Sequence, residues 1–147
     1  MKKIDCFIPY ASPKQAKATI AGLRESDLVA NIYLLAVDAE VPAVDGCTVV
    51  TIDTLNSSAT MQKIAETATA DYILLYTKYN NLILGYLALN RFVRLAQDSD
   101  AAMLYSDSYT VVADKKANAP VIDYQFGSLR DDFNFGSVLF FDTAKFK

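Results

Sequence analysis

Asp71 to Asn81 reads DYILLYTKYNN: an unbroken apolar run, Tyr72 to Tyr76, that gives way at once to Thr-Lys-Tyr-Asn-Asn. A run this short, rich in aromatic and branched residues and lacking polar alternation, predicts a strand buried on both faces, as in the interior of a parallel sheet. In an open α/β sheet, ligands bind outside the carboxyl ends of the strands. The residues that follow Tyr76, Thr77 and Lys78 first among them, are therefore candidate binding residues as well as loop.

The flanking sequence supports such a sheet. Ile4 to Tyr10 is a mostly apolar run followed by SPKQ, with Ser12 as N-cap, Pro13 at the first helical position and Gln15 closing a capping box. Ala16, Ile20 and Leu23 then share one helical face, and IYLLAV (residues 32–37) predicts a buried strand ending at Asp38. VPAVDG is a turn, and TVVTI a short third strand. NSS caps a helix in which Met61, Ile64, Ala65 and Ala68 repeat at helical spacing. Beyond YILLY, the positions Tyr86, Leu89, Val93 and Ala96 form a stripe. Ile83, Leu84, Leu87, Phe92 and Leu95 widen it, which predicts a helix from Leu82 buried on two sides. AAMLY is a fifth strand leading into SDSY. Strands and helices in this order predict a mainly parallel, doubly wound sheet covered on both faces.

The pattern changes after Tyr105. YTVVADKKANAPVIDYQF has strand residues on both sides of a polar stretch, so an antiparallel excursion is expected there, with DKKAN as its exposed turn. SVLFF is one more strand, and Asp142 reads as the N-cap of a helix begun just before Lys147. The expectation is one domain over residues 1–147 that forms part of a longer protein.

Composition narrows the function. The 147 residues are 52% hydrophobic, ample for a core. With 14 basic against 17 acidic residues, a net charge of -3 and no basic run, nothing favours a nucleic-acid partner. Asp5 and Pro9 interrupt any leader-like start, and no apolar segment approaches the roughly 20 residues that a membrane span needs. The two cysteines, Cys6 and Cys47, lie among strand residues as reduced thiols would, which points to the cytoplasm. The absence of histidine removes imidazole metal sites and a histidine base from this chain. With five glycines and neither G-x-G-x-x-G nor a Walker loop, phosphate is not cradled by a glycine turn. Side chains at strand ends must bind instead: Tyr10, Asp38, Thr77, Lys78, Ser106 and Asp107.

The opening IDCFIPYAS, the strand-end Asp38, ADYILLY and the later GSVLFFDTAKF together resemble the N-terminal half of family 2 glycosyltransferases of the GT-A fold, a nucleotide-sugar-binding sheet. The resemblance extends over nearly the whole chain as a pattern of strands with landmarks. It implies that Pro9, Tyr10 and Asp38 hold the nucleoside of a nucleotide-diphosphate sugar, with a glycan or other acceptor bound outside this chain and the sugar inverted on transfer. The family ends its fourth strand in an Asp-x-Asp motif that carries a divalent cation, Mg or Mn. Here the positions read Thr77-Lys78-Tyr79, which offer no carboxylate. Lys78, with Arg130, is the candidate to supply the missing positive charge to the departing diphosphate. Asp107 is an alternative metal ligand, or simply a turn former. In GSLRDDFNFG, Asp131 and Asp132 are candidates for gripping the donor sugar, for structure or, as the weaker option, for the general base, which the family usually draws from further along. Tyr105, Tyr109, Tyr124 and Phe126 can stack on a base or fill a core. The competing reading is a noncatalytic domain that has lost its metal motif and binds a nucleotide sugar or a protein; a flavodoxin-like or receiver-type domain ranks below both, since the clustered early acids of a phosphoacceptor pocket are not found.

Overall fold

Alternation along the first strand sorts its side chains into two sets, and each set nucleates one side of the molecule. In the computed structural model, which describes residues 1–37, 41–42, 44–121 and 134–147, Ile4, Cys6 and Ile8 enter one cluster of buried side chains and Phe7 enters another. The elements are β1 (Ile4–Pro9), α1 (Pro13–Arg24), β2 (Val29–Ala36), β3 (Cys47–Thr51), α2 (Ser58–Thr67), β4 (Tyr72–Tyr76), α3 (Ala88–Ser99), β5 (Met103–Tyr105), β6 (Ser108–Val112), β7 (Lys115–Ala119), β8 (Val138–Asp142) and α4 (Thr143–Phe146). Among the described residues, six strands form one sheet in the order β3-β2-β1-β4-β8-β5, and β6 and β7 form a separate ribbon. The β1–β2, β1–β4 and β2–β3 pairs are parallel; β8 runs antiparallel between β4 and β5.

Helices cover both faces. Ala16, Ile20 and Leu23 of α1 and Leu89, Val93 and Ala96 of α3 pack with Ile8, Leu34, Leu74 and Phe140 on one side. Ile64 of α2 packs with Phe7, Tyr33, Leu35, Ile73 and Leu75 on the other, where Phe7 and Tyr33 stack at 4.7 Å. Each large side chain so buried contributes about 1.5–3 kcal/mol. The mainly parallel, two-faced sheet expected from the sequence is the sheet found.

Two local expectations are corrected. The helix after β4 begins at Ala88, not Leu82, and it buries the single stripe Leu89, Val93 and Ala96. Residues 82–85 alternate instead: Leu82 and Leu84 are half-buried while Ile83 and Gly85 are exposed, a period of two in which helical spacing has no meaning. Their apolar side chains therefore never widen a helical face. DKKAN is not the turn either. Ala113 and Asp114 both have positive φ, 49° and 62°, and form the tight two-residue connection themselves, so Lys115 to Asn118 pair as strand with Val112 to Tyr109.

At the amino ends of the parallel strands, Asp71 accepts hydrogen bonds from Lys2 Nζ and from Lys3 N, each at 2.9 Å. The Lys2 ammonium, and next the Lys3 amide, hold the Asp71 carboxyl below the ordinary carboxylate range. A group with a depressed folded value adds stability above its unfolded value, about 3.9, and loses it as pH falls through the folded one. The Asp71 side chain is 36% exposed, so solvent screens the gain. Asp71→Asn is expected to lower the melting temperature slightly at pH 7 and to shrink the drop between neutral and strongly acid solution; thermal melts across that range check it.

Candidate functional site

Strand order locates the place where a ligand would sit. From β1 the chain moves through α1 to β2 and β3 on one side, then returns through α2 to β4 on the other, so the order reverses between β1 and β4. The carboxyl ends of that pair bound the crevice that such sheets use.

Pro9 is buried as the last residue of β1, and Tyr10, half-buried, is fixed by its amide donating to Leu35 O at 2.9 Å. At the neighbouring end, Tyr76 is buried, its phenol pKa is raised by that burial, and its hydroxyl meets Asn80 Oδ1. The Thr77 amide and hydroxyl both donate to Ser137 O, at 2.9 and 3.0 Å, tying the end of β4 to the start of β8. Lys78, the next residue, is exposed. Thr77 thus serves the sheet, whereas Lys78 faces solvent beside it.

Two polar side chains on the buried face of α1 organise this end. Gln15 is 6% exposed; its Nε2 donates to Pro9 O at 3.3 Å and to Asn80 O at 3.2 Å, while its Oε1 accepts from Ala11 N at 3.1 Å. One turn later, Thr19 Oγ1 accepts from Leu82 N at 3.1 Å. Together they staple the loop after β4 across the carboxyl end of β1. The helix starts as its sequence requires, with Ser12 Oγ accepting from Gln15 N at 3.2 Å. The Gln15 side chain reaches Ala11 N, and not the Ser12 amide that closes an ordinary capping box. The sequence signal for a wider role was there: Gln15 and Thr19, four residues apart, lie on the same buried face as Ala16, Ile20 and Leu23.

The end of β5 lies on the same side of the sheet. Ser106 and Asp107 are both exposed, and Asp107 Oδ1 accepts from Val121 N at 2.8 Å, closing the base of the β6–β7 ribbon. Gly136, at φ 82°, passes so near that a Cβ there would stand 3.1 Å from Ser106 O. Tyr105 meets Phe135 edge-on at 5.1 Å, whereas Tyr109 is exposed. Asp38, Tyr124, Phe126, Arg130, Asp131 and Asp132 lie outside the described residues. Tyr10, Thr77, Lys78 and Asp107 are thus all placed at the carboxyl ends of the strands.

A divalent cation needs several hard oxygen ligands, usually carboxylates. Among the described residues, no group of three or more His, Cys, Asp or Glu side chains could hold one. Thr77, Lys78 and Tyr79 supply no carboxylate and Asp107 supplies one, so these residues do not by themselves make a divalent-cation site. A cavity of about 420 Å³ exists at the opposite, amino end of the strands, lined by Lys2, Asp71, Tyr72, Asp142, Thr143 and Lys147 among others. No described helix is long and apolar enough to cross a membrane.

No family model and no curated protein matches the sequence. Solved structures do. A 2-C-methyl-D-erythritol 4-phosphate cytidylyltransferase from Thermus thermophilus aligns with a TM-score of 0.58 at 15% identity, covering 98% of this chain and 72% of its own. A 4-diphosphocytidyl-2C-methyl-D-erythritol synthase aligns at 0.53 and 17% identity, covering 97% and 76%. The mannosyltransferase PcManGT from Pyrobaculum calidifontis, solved with GDP-Man and Mn2+, aligns at 0.52 and 10% identity over 71% of this chain; the match spans 35% of the mannosyltransferase. At these identities the likeness is one of fold: the chain has the GT-A-like fold of nucleotide-diphospho-sugar transferases.

Proposed function

We propose that the chain is the donor-binding part of a glycosyltransferase. It would hold a nucleotide-diphosphate sugar at the carboxyl ends of β1 and β4 and present the sugar to an acceptor bound by another part of the protein. The observation that carries this reading is the junction made by Gln15, which joins α1, the end of β1 and the loop after β4 in one buried hydrogen-bonded unit and leaves Tyr10 and Lys78 at its edge. Pro9, Tyr10 and Asp38 would receive the nucleoside, as in the family the sequence resembles. The mannosyltransferase that shares this fold and was solved with GDP-Man and Mn2+ supports a nucleotide-sugar donor, and strand ends are where open α/β sheets bind ligands.

Lys78 stands where the family has a metal-binding aspartate. A fixed ammonium beside a diphosphate stabilises the charge that develops as the sugar departs, and it does so more strongly where water is excluded. Arg130, which stands beside Asp131 and Asp132 in the sequence, would assist. This predicts donor binding that is sensitive to salt and indifferent to manganese.

Calorimetric titration with UDP-, GDP- and dTDP-sugars, with and without manganese, tests the proposal. One donor is expected to saturate, and Lys78→Ala to weaken it about tenfold or more, in line with the loss of one charge-assisted contact. Silence with every donor would favour a noncatalytic domain, the reading that the engaged Thr77 and the missing Asp-x-Asp also fit.

A further inference from the structure

Between Asp71 and Asp98 the chain contains no carboxylate: its charged residues there are Lys78, Arg91 and Arg94, in a protein whose net charge is -3. The same stretch displays large apolar side chains to solvent. Ile83 is 81% exposed and Tyr86 89%, and Tyr79, Leu87 and Leu95 are exposed as well.

The geometry concentrates them. The buried stripe of α3 is Leu89, Val93 and Ala96, so by helical spacing Leu87, Arg91, Arg94 and Leu95 share the outward face. Leu87 adopts a left-handed conformation, φ 51°, with no side-chain cap, a state unfavourable for a branched L residue. The loop is anchored from beneath by Leu82 N on Thr19 and by half-buried Leu82 and Leu84, so Ile83, Tyr86 and Leu87 project from a fixed base. Asp98 lies on the same face at the far end of the helix, 3.9 Å from Arg94, with both side chains largely exposed; so open a pair leaves the arginine able to meet another anion.

We propose that this surface docks on an anionic lipid bilayer, with Ile83, Tyr86 and Leu87 entering the headgroup layer and Arg91 and Arg94 meeting lipid phosphates. Charge complementarity selects this occupant: even with Asp98 at its far end, the face that carries Arg91 and Arg94 is cationic in a chain of net charge -3, and is drawn to a negative leaflet. Tyrosine beside aliphatic residues and arginine is the composition that partitions into the membrane interface, and the apolar and basic contributions together give the two signals that stable attachment needs. The proposal does not depend on nucleotide binding, and it is tested without nucleotide.

The full chain is sedimented with phosphatidylcholine vesicles and with vesicles rich in phosphatidylglycerol. Binding to the anionic vesicles is expected, falling about tenfold on neutral ones or in high salt. Ile83→Ser with Tyr86→Ser should weaken it about tenfold, and Arg91→Gln with Arg94→Gln should remove its dependence on anionic lipid. The substituted side chains are exposed, and unchanged thermal melts would establish that each variant is folded. Absence of binding, equal binding to neutral and anionic vesicles, or unaltered binding by either variant overturns the proposal. So does a lipid-independent dimer in sedimentation velocity that Ile83→Ser with Tyr86→Ser abolishes, which would assign the surface to a second copy of the chain.

Discussion

Asp5→Ala is expected to destabilise the chain by about 3–5 kcal/mol, a large share of the stability ordinary for a domain of this size. Asp5 is fully buried in β1, where its neighbours are apolar. Its Oδ1 accepts from Asn31 Nδ2 at 2.8 Å, and its Oδ2 from the amides of Thr69 and Ala70 at 2.7 and 2.9 Å. One carboxylate thus joins β1, β2 and the turn that leads into β4. Alanine removes the acceptors and leaves two backbone donors unsatisfied at the sheet's amino end. Asp5→Asn keeps the shape and one acceptor, so it should lose roughly half as much. Urea unfolding of the three proteins measures the difference; a loss under about 1 kcal/mol for alanine would show that water replaces the carboxylate. Beside it, burial, and secondarily the Asp5 charge, push the Cys6 thiol far above its ordinary pKa, so that thiol stays protonated and unreactive.

Phe140→Ala is expected to lose about 3–5 kcal/mol, the range for truncating a buried aromatic. Phe140 is 1% exposed at the middle of β8 and lies 5.1 Å from both Phe92 and Tyr72, stacked on the first and tilted to the second. The cavity would open between α3 and the sheet, beneath the strand whose neighbour Ser137 accepts both Thr77 hydrogen bonds. Hydrogen exchange should therefore rise in β5 and β8 and at the Thr77 amide, while β1 and β2 stay protected. Phe140→Leu, which keeps most of the volume, should lose less than half as much. Equal losses would mean that the ring contacts carry the effect and the filled volume does not.

Why was so much of this fold legible in the sequence, and where did legibility stop? The central strands were readable because burial on both faces demands uninterrupted apolar runs: YILLY and the first five residues of IYLLAV are buried strand, while Val37 lies beyond β2 and is 60% exposed. The starts of α1 and α2 were readable because Ser12 and Ser57 announce themselves as caps, and each accepts the expected amide, from Gln15 and Thr60. The helix after β4 was overextended because residues 82–87 are apolar for a different reason: Leu82 and Leu84 turn toward the core while Ile83, Tyr86 and Leu87 face solvent, and composition alone does not distinguish a period of two from one of 3.6 over so few residues. The ribbon turn was misplaced because Ala113 and Asp114 lack the Asn-Gly signature usual where two successive residues have positive φ. The antiparallel insertion of β8 between β4 and β5 is a long-range pairing with no local signature at all.

At the candidate site, the strand-end positions of Tyr10, Thr77, Lys78 and Asp107 followed from the strands themselves. What the sequence concealed was their partners. Thr77 is occupied by Ser137, sixty residues away, and Gln15 bonds to a carbonyl sixty-five residues on. A polar side chain on an apolar helical face hints that such a partner exists, but its identity emerges only when the sheet assembles.

The most direct test of the account is an experimental structure of the chain with the nucleotide-diphosphate sugar that binds it best. The account predicts the nucleoside beside Pro9 and Tyr10, and the diphosphate within hydrogen-bonding reach of Lys78 Nζ. Density in the cavity between Asp71 and Thr143 at the other end of the strands, with the β1 and β4 ends empty, would contradict it.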